Sequence, residues 1–345
     1  MSVLFSPYKV TRKVRESEVI MSFDLVPEDG RTVGRFKAGQ YLTLRLPGDL
    51  TRTYTVSSSP ETSDHYRISV KKETLGRASG FLHDIVNEGD VLEILEPRGD
   101  FHLHENRSEP VVLLSGGVGV TPMISMLHAL RDTDRKVIFV HACESGSVHA
   151  FRAEVDELVQ QNDRLRAFYL YRTPTDDDRY RGAFHSEGVV TTDILRALFA
   201  ETLPDCYLCG PPGFMKAVWD SLRQLGLPSS QIFYEFFGPS TLLEEPAAGV
   251  VEGLATVDSG SPVVHFSRSG KSVEWGNFQG SILEFAEKHG ARPDSSCRVG
   301  VCNTCQCKVV SGAVSYIEEP LEMPPSGFAL LCVSRPTSEE LVLDL

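Results

Sequence analysis

"VVLLSGGVGVTPMISML", residues 111–127, sets the architecture of the middle of the chain. Four apolar residues run into Ser115, glycines at 116, 117 and 119 permit a tight turn, and Thr121–Pro122 open a helix at the position where proline is tolerated. Backbone N–H groups at such a turn and helix start form a site for a pyrophosphate. The spacing is not the GxGxxG fingerprint, because no third glycine follows Gly117 and Gly119 at the required place. Structural turning alone would also explain the glycines, so the loop needs company. It has company in "YLCGPPGFM", residues 207–215, which again follows an apolar strand and precedes a helix. Both loops would then lie at the carboxyl ends of parallel strands, the usual location of ligands in such sheets. Read alone, Cys209 is as well explained as a small buried hydrophobe.

Working outward, buried apolar runs alternate with helical ones from Pro110: KVIFVHA, FRAEVDELVQQ, LRAFYLYR, TTDILRALFA, DCYLCG and FMKAVWDSLRQLG. That alternation predicts a parallel sheet covered by helices. Upstream, from Val10 to about Leu103, short alternating stretches (YLTLRLP, RTYTVSS, YRISVKK, VLEILEP) are separated by Gly, Pro and Asp. They predict a small, mostly antiparallel barrel or sandwich, with a short helix near Ala78–Ile85. Downstream of YEFFGPS, residues 234–240, the stretch LLEEPAAGVVEG reads as a linker. The final module then offers strands VVHFSRSG, KSVEW, CKVVSG and LVLDL and a short helix in GSILEFAEKHG, a compact sheet with one helix against it.

The 345 residues carry a formal charge of −13, a balance that argues against nucleic acid or an anionic membrane surface as main partner. The start MSVLFSPYKVTRKV has no apolar export region and no run reaches the length of a membrane span, so a cytoplasmic protein is expected. Eight cysteines in such a chain do not form a disulfide framework; four of them crowd into SSCRVGVCNTCQC, residues 295–307. Cys297, Cys302 and Cys305 have C-x₄-C-x₂-C spacing, and Cys332 lies further on in FALLCVS, the arrangement of a plant-type [2Fe–2S] centre. In that arrangement loop N–H groups near Gly300 point at the sulfurs. A zinc site of Cys297, Cys302, Cys305 and Cys307 is the alternative, but a one-residue gap between the last two is awkward for one tetrahedral ion. Cys307, Cys143 and Cys206 then read as buried core residues.

Residues 6–240 resemble the ferredoxin–NADP reductase superfamily, and within it the flavin/nicotinamide reductase part of flavohaemoglobins. The motifs that carry the resemblance are RTYT at 52–55, YRISVKKE at 66–73, GRAS at 76–79, GDFHL at 99–103, GGVGVTPM at 116–123, CGPPGFM at 209–215 and YEFFGP at 234–239. About residues 262–345 resemble plant-type ferredoxins. A globin segment is absent from this sequence, so haem-based nitric oxide chemistry is not implied.

The resemblance implies a flavin held by Arg52, Thr53, Tyr54 and Thr55: Arg52 on a phosphate, Tyr54 on the isoalloxazine ring and Thr55 near its reactive edge, where the family usually has Ser. It implies backbone support from Ile68, Ser69 and Val70, a pyrophosphate loop at Gly76, Arg77, Ala78 and Ser79, and cover from Phe237. The flavin is expected to be FAD, with FMN as the alternative used by a related branch that carries an iron–sulfur domain. For the pyridine nucleotide it implies Gly117, Val118, Gly119, Val120 and Thr121 at the pyrophosphate, and Cys209, Gly210 and Pro211 beside the nicotinamide. His141 and Glu144 should lie near the adenosine ribose; a carboxylate there suits ribose hydroxyls and opposes a second phosphate, so NADH is expected over NADPH, although Arg172 could reach the same pocket.

Four modules are therefore expected: a flavin-binding β-barrel over 1–107, an α/β NAD(P)-binding domain over 108–240, a linker over 241–260 and a β-grasp [2Fe–2S] domain over 261–345. Nicotinamide gives two electrons as hydride, the cluster takes one at a time, and a flavin can do both. The expected function is an NADH-dependent reductase passing electrons through flavin and cluster, singly, to a transient protein acceptor such as a Rieske-type oxygenase or demethylase. A cytochrome P450 or hybrid-cluster acceptor, a diaphorase and a non-catalytic redox-sensing module are the alternatives. Hydride transfer needs positioning rather than an acid–base pair, so no catalytic residue is expected beyond Thr55, Cys209 and Phe237 near the reacting rings, and His83 and His141 are read as binding or packing residues.

Overall fold

The computed structural model describes residues 5–48, 50–74, 76–199, 203–237, 261–291, 293, 295, 300, 305–317, 320 and 323–345, without the side chain of Phe236. They fall into two units, Met1–Phe237 and Gly238–Leu345. The expected linker, 241–260, lies outside the described residues.

The first unit begins with strands β1 (Ser6–Arg15), β2 (Ile20–Pro27), β3 (Tyr41–Leu46), β4 (Leu50–Thr55) and β5 (Tyr66–Lys71), helix α1 (Arg77–Asp84) and strand β6 (Val91–Arg98). The strands form one antiparallel sheet in the order β4-β3-β6-β1-β2-β5. Residues alternate across each strand, and the inward set, including Tyr8, Val10, Phe23, Leu25, Leu44, Tyr66, Ile68 and Ile94, makes its core. The helix expected over 78–85 starts one residue earlier. It is fastened at its far end by Lys13, whose Nζ donates to the His83 and Val86 carbonyls at 2.7 and 2.6 Å.

The chain continues as β7 (Val111–Gly116), α2 (Val120–Leu130), β8 (Val137–Cys143), α3 (Arg152–Gln161), β9 (Leu165–Tyr171), α4 (Asp176–Tyr180), β10 (Ser186–Glu187), α5 (Thr192–Leu198), β11 (Asp205–Gly210), α6 (Pro212–Gln224) and β12 (Ile232–Phe236). All neighbours in the order β10-β9-β8-β7-β11-β12 are parallel, as the alternating pattern predicts. Every residue of β7 and β11 is buried, which is why these strands read as unbroken apolar runs rather than alternating ones. After β7 the chain adds strands on one side and then returns to add β11 and β12 on the other. The order therefore reverses beside β7, and in sheets of this kind ligands lie beyond the carboxyl ends of the strands at that point, here β7 and β11.

The second unit holds β13 (Val263–Phe266), β14 (Lys271–Glu274), α7 (Ile282–Lys288), β15 (Gln306–Ser311), β16 (Val314–Tyr316), β17 (Phe328–Leu330), β18 (Ser334–Pro336) and β19 (Glu340–Leu343). Its main sheet runs β14-β13-β19-β15-β17, with β13 and β19 parallel, and β16 pairs with β18. Ser281 caps α7 in a reciprocal box with Glu284, and Ile282, Leu283, Phe285 and Ala286 turn inward onto a core that also contains Cys305, Cys307 and Cys332. Among the described residues no helix is long and apolar enough to cross a membrane.

Candidate functional site

The first unit brings the expected flavin residues together at one end of its antiparallel sheet. Strand β4 and strand β5 are the sheet's two edges, yet just past β4 Val56 bridges Ile68 of β5, and the Ser57 N–H donates to the Arg67 carbonyl at 2.7 Å. Thr55 therefore lies beside Ile68, Ser69 and Val70. The side chains of Ile68 and Val70 point into the core, 0% and 1% exposed. Tyr54 packs partly on the same core, and burial pushes its phenol up to about 12, so it remains a neutral ring surface. Thr55 Oγ1 is enclosed and has no hydrogen-bond partner among the described residues. A buried hydroxyl left unpaired is costly, and a ligand atom at this position would satisfy it.

The expected pyrophosphate loop opens α1. No side chain caps that helix and no carboxylate stands in its first turn, whereas α4, α5 and α7 are capped by Thr175, Thr191 and Ser281. Free N–H groups at Arg77 and Ala78 suit an anion. The Ser79 hydroxyl is already engaged, donating to the Gly76 carbonyl and accepting from the Glu73 N–H, so it shapes the loop. His83 Nε2 donates to the Val70 carbonyl at 2.7 Å, which ties α1 to β5.

Beyond β7, residues 117–119 make a single 3₁₀ turn, with Gly117 at φ +53° where only glycine enters freely. Gly119 has a different reason: a Cβ there would sit 2.2 Å from the Cys209 carbonyl oxygen. The two loops are thus packed backbone on backbone. Helix α2, which follows, lacks a side-chain cap, as does α6 behind Pro211. Val120 and Thr121 are buried, the Val120 N–H returns to the Gly117 and Val118 carbonyls and Thr121 Oγ1 donates to the Val118 carbonyl, so these residues build the turn.

His141 and Glu144 separate in the structure. His141 is 1% exposed, its Nδ1 2.8 Å from Ser115 Oγ, and it stacks near His149 at 4.7 Å; burial pushes its imidazole down to about 4. Its ring belongs to the core under the loop. Glu144 is exposed, 3.4 Å from Arg172 Nη1, and accepts from Thr173 Oγ1 at 3.1 Å. Cys209 is wholly buried, with burial first and Glu235 second pushing its thiol well up. Phe237, at the end of β12, is 38% exposed.

Glu235 is the residue the sequence reading passed over. It pairs in register with Cys209, one of its carboxylate oxygens is enclosed without a partner, and burial pushes its carboxyl up to about 8. An acid whose proton is held more tightly than usual therefore stands beside the second loop. The quoted YEFFGP motif contained it, and an acid inside an apolar parallel strand was the available signal.

In the second unit Cys297 and Cys302 lie outside the described residues. Cys305 and Cys332 are 4% and 8% exposed and close together through the Leu331 N–H, which donates to the Cys305 carbonyl. The Gly300 N–H donates to Cys332 Sγ at 3.3 Å, the backbone-to-sulfur contact that a thiolate cluster calls for. Cys307 takes the opposite role: its thiol leans on the Lys308 and Asp344 carbonyls, and burial raises it.

This fold and these loops define a class, modular oxidoreductases that join a flavin sheet, a nucleotide sheet and an iron–sulfur module. Three family models match in that order: the oxidoreductase FAD-binding domain over residues 7–103, the oxidoreductase NAD-binding domain over 113–220 and the 2Fe–2S iron–sulfur cluster binding domain over 264–337. The flavohaem-like FAD/NAD-binding domain of the nitric oxide dioxygenase of Vibrio cholerae O1 biovar El Tor is 35% identical with a TM-score of 0.60, covering 68% of this chain and 100% of that one. Phthalate dioxygenase reductase, a modular structure for electron transfer from pyridine nucleotides to [2Fe–2S], is 29% identical with a TM-score of 0.59 and covers 99% of this chain and 98% of its own. A flavohemoprotein of Burkholderia sp. strain TH2 is 44% identical over 245 residues, 69% of this chain and 60% of that protein. The chain thus spans about 60% of the length of that curated relative. It belongs to the FAD/NAD-binding oxidoreductases of the ferredoxin–NADP reductase superfamily, with a 2Fe–2S domain fused behind them.

Proposed function

We propose that the chain is an NADH-dependent electron-transfer reductase that supplies a protein acceptor, an oxygenase or demethylase component of the Rieske type, in the cytoplasm where NADH is available. The observation that carries this reading is the order of three modules along the whole chain, matched end to end in phthalate dioxygenase reductase. When bound, FAD would take two electrons as one hydride and the [2Fe–2S] cluster would pass them on singly.

The chain's own residues have positioning tasks. Arg52 offers a multi-donor fork to a flavin phosphate, Tyr54 a flat neutral face to the ring, and Thr55 a hydroxyl with nothing else to bind. The N–H groups of α1 and α2 take the two pyrophosphates. The packed glycine loops, with Cys209 and Glu235 beneath them, set the floor on which a nicotinamide would lie, and Phe237 shields the flavin until that ring arrives. Glu144 selects NADH: its carboxylate accepts from ribose hydroxyls and repels a second phosphate, and it occupies Arg172. Cys297, Cys302, Cys305 and Cys332 hold the cluster, and Gly300 donates to one of its sulfurs.

The same reading takes the first sheet as a barrel closed at the Val56–Ile68 bridge, the second unit as a β-grasp fold, and the module limits as 1–107, 108–240 and 261–345. Anaerobic stopped-flow absorbance of the purified protein, comparing NADH with NADPH, tests the function. Flavin bleaching by NADH followed by one-electron reduction of the cluster is expected; a flavin-free preparation holding one zinc ion would sink it.

A further inference from the structure

A partly buried polar bridge joins the antiparallel sheet to the helices of the parallel one. Arg67, on β5, donates from Nη1 and Nη2 to the two carboxylate oxygens of Glu154 in the first turn of α3, both at 2.9 Å. The same guanidinium turns back to its own sheet, donating from Nε to Ser57 Oγ at 3.3 Å and from Nη2 to the Ser57 carbonyl at 2.6 Å. Ser57 is fully buried and stands two residues beyond Thr55. On the other side Glu154 accepts from His128 Nε2 at 2.6 Å, in the last turn of α2. Helix α2 starts directly behind the Gly117–Gly119 turn and is eleven residues long, a stiff rod of about 16 Å. A continuous set of short contacts therefore runs from the flavin strand through Arg67, Glu154 and His128 to the nucleotide turn.

The local backbone shows what holding this bridge requires. Phe151, immediately before α3, is the one non-glycine among the described residues with positive φ, at +61°. An L side chain adopts that conformation at a cost, and it persists where surrounding contacts impose it. Here the Phe151 ring is buried with the Arg67 guanidinium 4.9 Å from its centroid. Burial works against charge on Glu154, but the donors from His128 and Arg67 overcome it and hold the carboxyl down at about 2, so the bridge stays ionic across the working range.

We propose that Arg67, Glu154 and His128 are positioning residues that set the approach of the nicotinamide to the flavin. The proposal rests on the reading that NADH reduces the flavin. In that step C4 of NADH loses a hydride, which forms the new bond at flavin N5; NADH leaves as NAD⁺ and the flavin gains two electrons and one proton. A rate that depends on the separation and angle of two rings falls steeply with misplacement on the ångström scale. A bridge tied to Ser57 at one end and to α2 at the other controls that separation without touching either ring.

The test uses the full chain with its cofactors, under anaerobic single turnover. Glu154→Gln and Arg67→Met should each lower the limiting rate of flavin reduction by about ten- to a hundredfold at saturating NADH. The NADH concentration giving half that rate should stay within about threefold, and the double variant should be no slower than the worse single one. Glu154→Asp should recover part of the rate. A readout independent of turnover is amide exchange at residues 55–58, which should quicken in Glu154→Gln although that change lies in the other sheet. If Arg67→Met loses flavin, Glu154→Gln decides. Unchanged limiting rates with only a lowered melting temperature would mean a structural brace and overturn the proposal, as would an effect confined to half-saturation. Wild-type flavin that NADH cannot reduce would overturn the reductase reading and this proposal with it; normal wild-type reduction with unaltered variants would overturn this proposal alone.

Discussion

Glu144 and Arg172 face each other across the carboxyl ends of neighbouring strands β8 and β9, 3.4 Å apart and both largely exposed, with Thr173 donating to the second oxygen of the same carboxylate. An exposed pair of this kind adds little to stability, so its value is in what it presents to solvent. Glu144→Gln should keep the shape, remove the charge that repels a second phosphate, and release Arg172 to attract one. The ratio of kcat/KM for NADH over NADPH should drop about tenfold, the effect of losing one charge-assisted hydrogen bond. Arg172→Gln should change NADH use little and weaken NADPH use further. Parallel steady-state titrations decide it; a ratio unmoved by Glu144→Gln would remove this carboxylate from coenzyme selection.

Cys332 and Cys307 are both buried in one core, and of the two, among the described residues, Cys332 receives a backbone N–H on its sulfur, from Gly300. Cys332→Ser should lose the cluster's absorbance and most bound iron while leaving flavin bleaching by NADH at its normal rate, because that step belongs to the first unit. Reduction of a protein acceptor should then stop. Cys307→Ser should retain iron and cost about 1 kcal/mol in stability, the ordinary consequence of a core substitution. Iron analysis beside visible spectra separates the two, and loss of iron in Cys307→Ser would return that residue to the ligand set.

Thr55 supplies a test with crossed signs. Its hydroxyl is enclosed and unpaired, so Thr55→Val, which keeps the side chain's shape, should stabilise flavin-depleted protein by about 1 kcal/mol. The flavin-loaded protein should lose a hydrogen bond instead and hold flavin about three- to tenfold more weakly. Melting curves with and without added FAD measure both. A variant that is less stable in both states would mean that the hydroxyl has a partner other than flavin.

Much of this was legible because the chemistry sits on sharp local signals. Apolar runs alternating with helical ones predicted the parallel sheet, and the cysteine spacing named a set of ligands of which Cys305 and Cys332 lie together in the core of the second unit, with the Gly300 N–H on Cys332. Strands β1 and β2 were harder, since only Tyr8 and Val10 of β1 are buried and its exposed Lys9, Arg12 and Arg15 blur the alternation. His141, expected near the ribose as a binding or packing residue, is turned inward to Ser115 by the alternation along β8. Glu235 and the Arg67–Glu154 bridge depend on pairings between distant segments, β11 with β12 and β5 with α3, which no local pattern records.

His141 and His149 predict how the first unit responds to acid. Both imidazoles are buried, and burial pushes His141 down to about 4; burial, then the neighbouring His141 and Arg152, push His149 down to about 2. The folded values lie below the ordinary 6.5, so acid favours the unfolded chain. Their contribution to stability is complete above about pH 6.5 and is lost as the pH falls from there, by about 1.4 kcal/mol per pH unit for each ring. Glu235 acts with the opposite sign: its carboxyl is raised from 4.5 to about 8, so stability falls as the pH rises through that interval. Between these slopes the unit should be most stable near pH 6.5, and should lose stability more steeply below about pH 4.5, where the Glu235 slope ends and the unfolded chain takes up a proton that the folded Glu154 resists. Release of flavin fluorescence on heating, followed from pH 4 to 9, reports this unit without the iron–sulfur module. Glu235→Gln should flatten the alkaline side of the profile and steepen the limb between about pH 4.5 and 6.5, while His149→Gln should soften the acid side. An acid limb unaffected by His149→Gln would mean that other groups set the acid sensitivity.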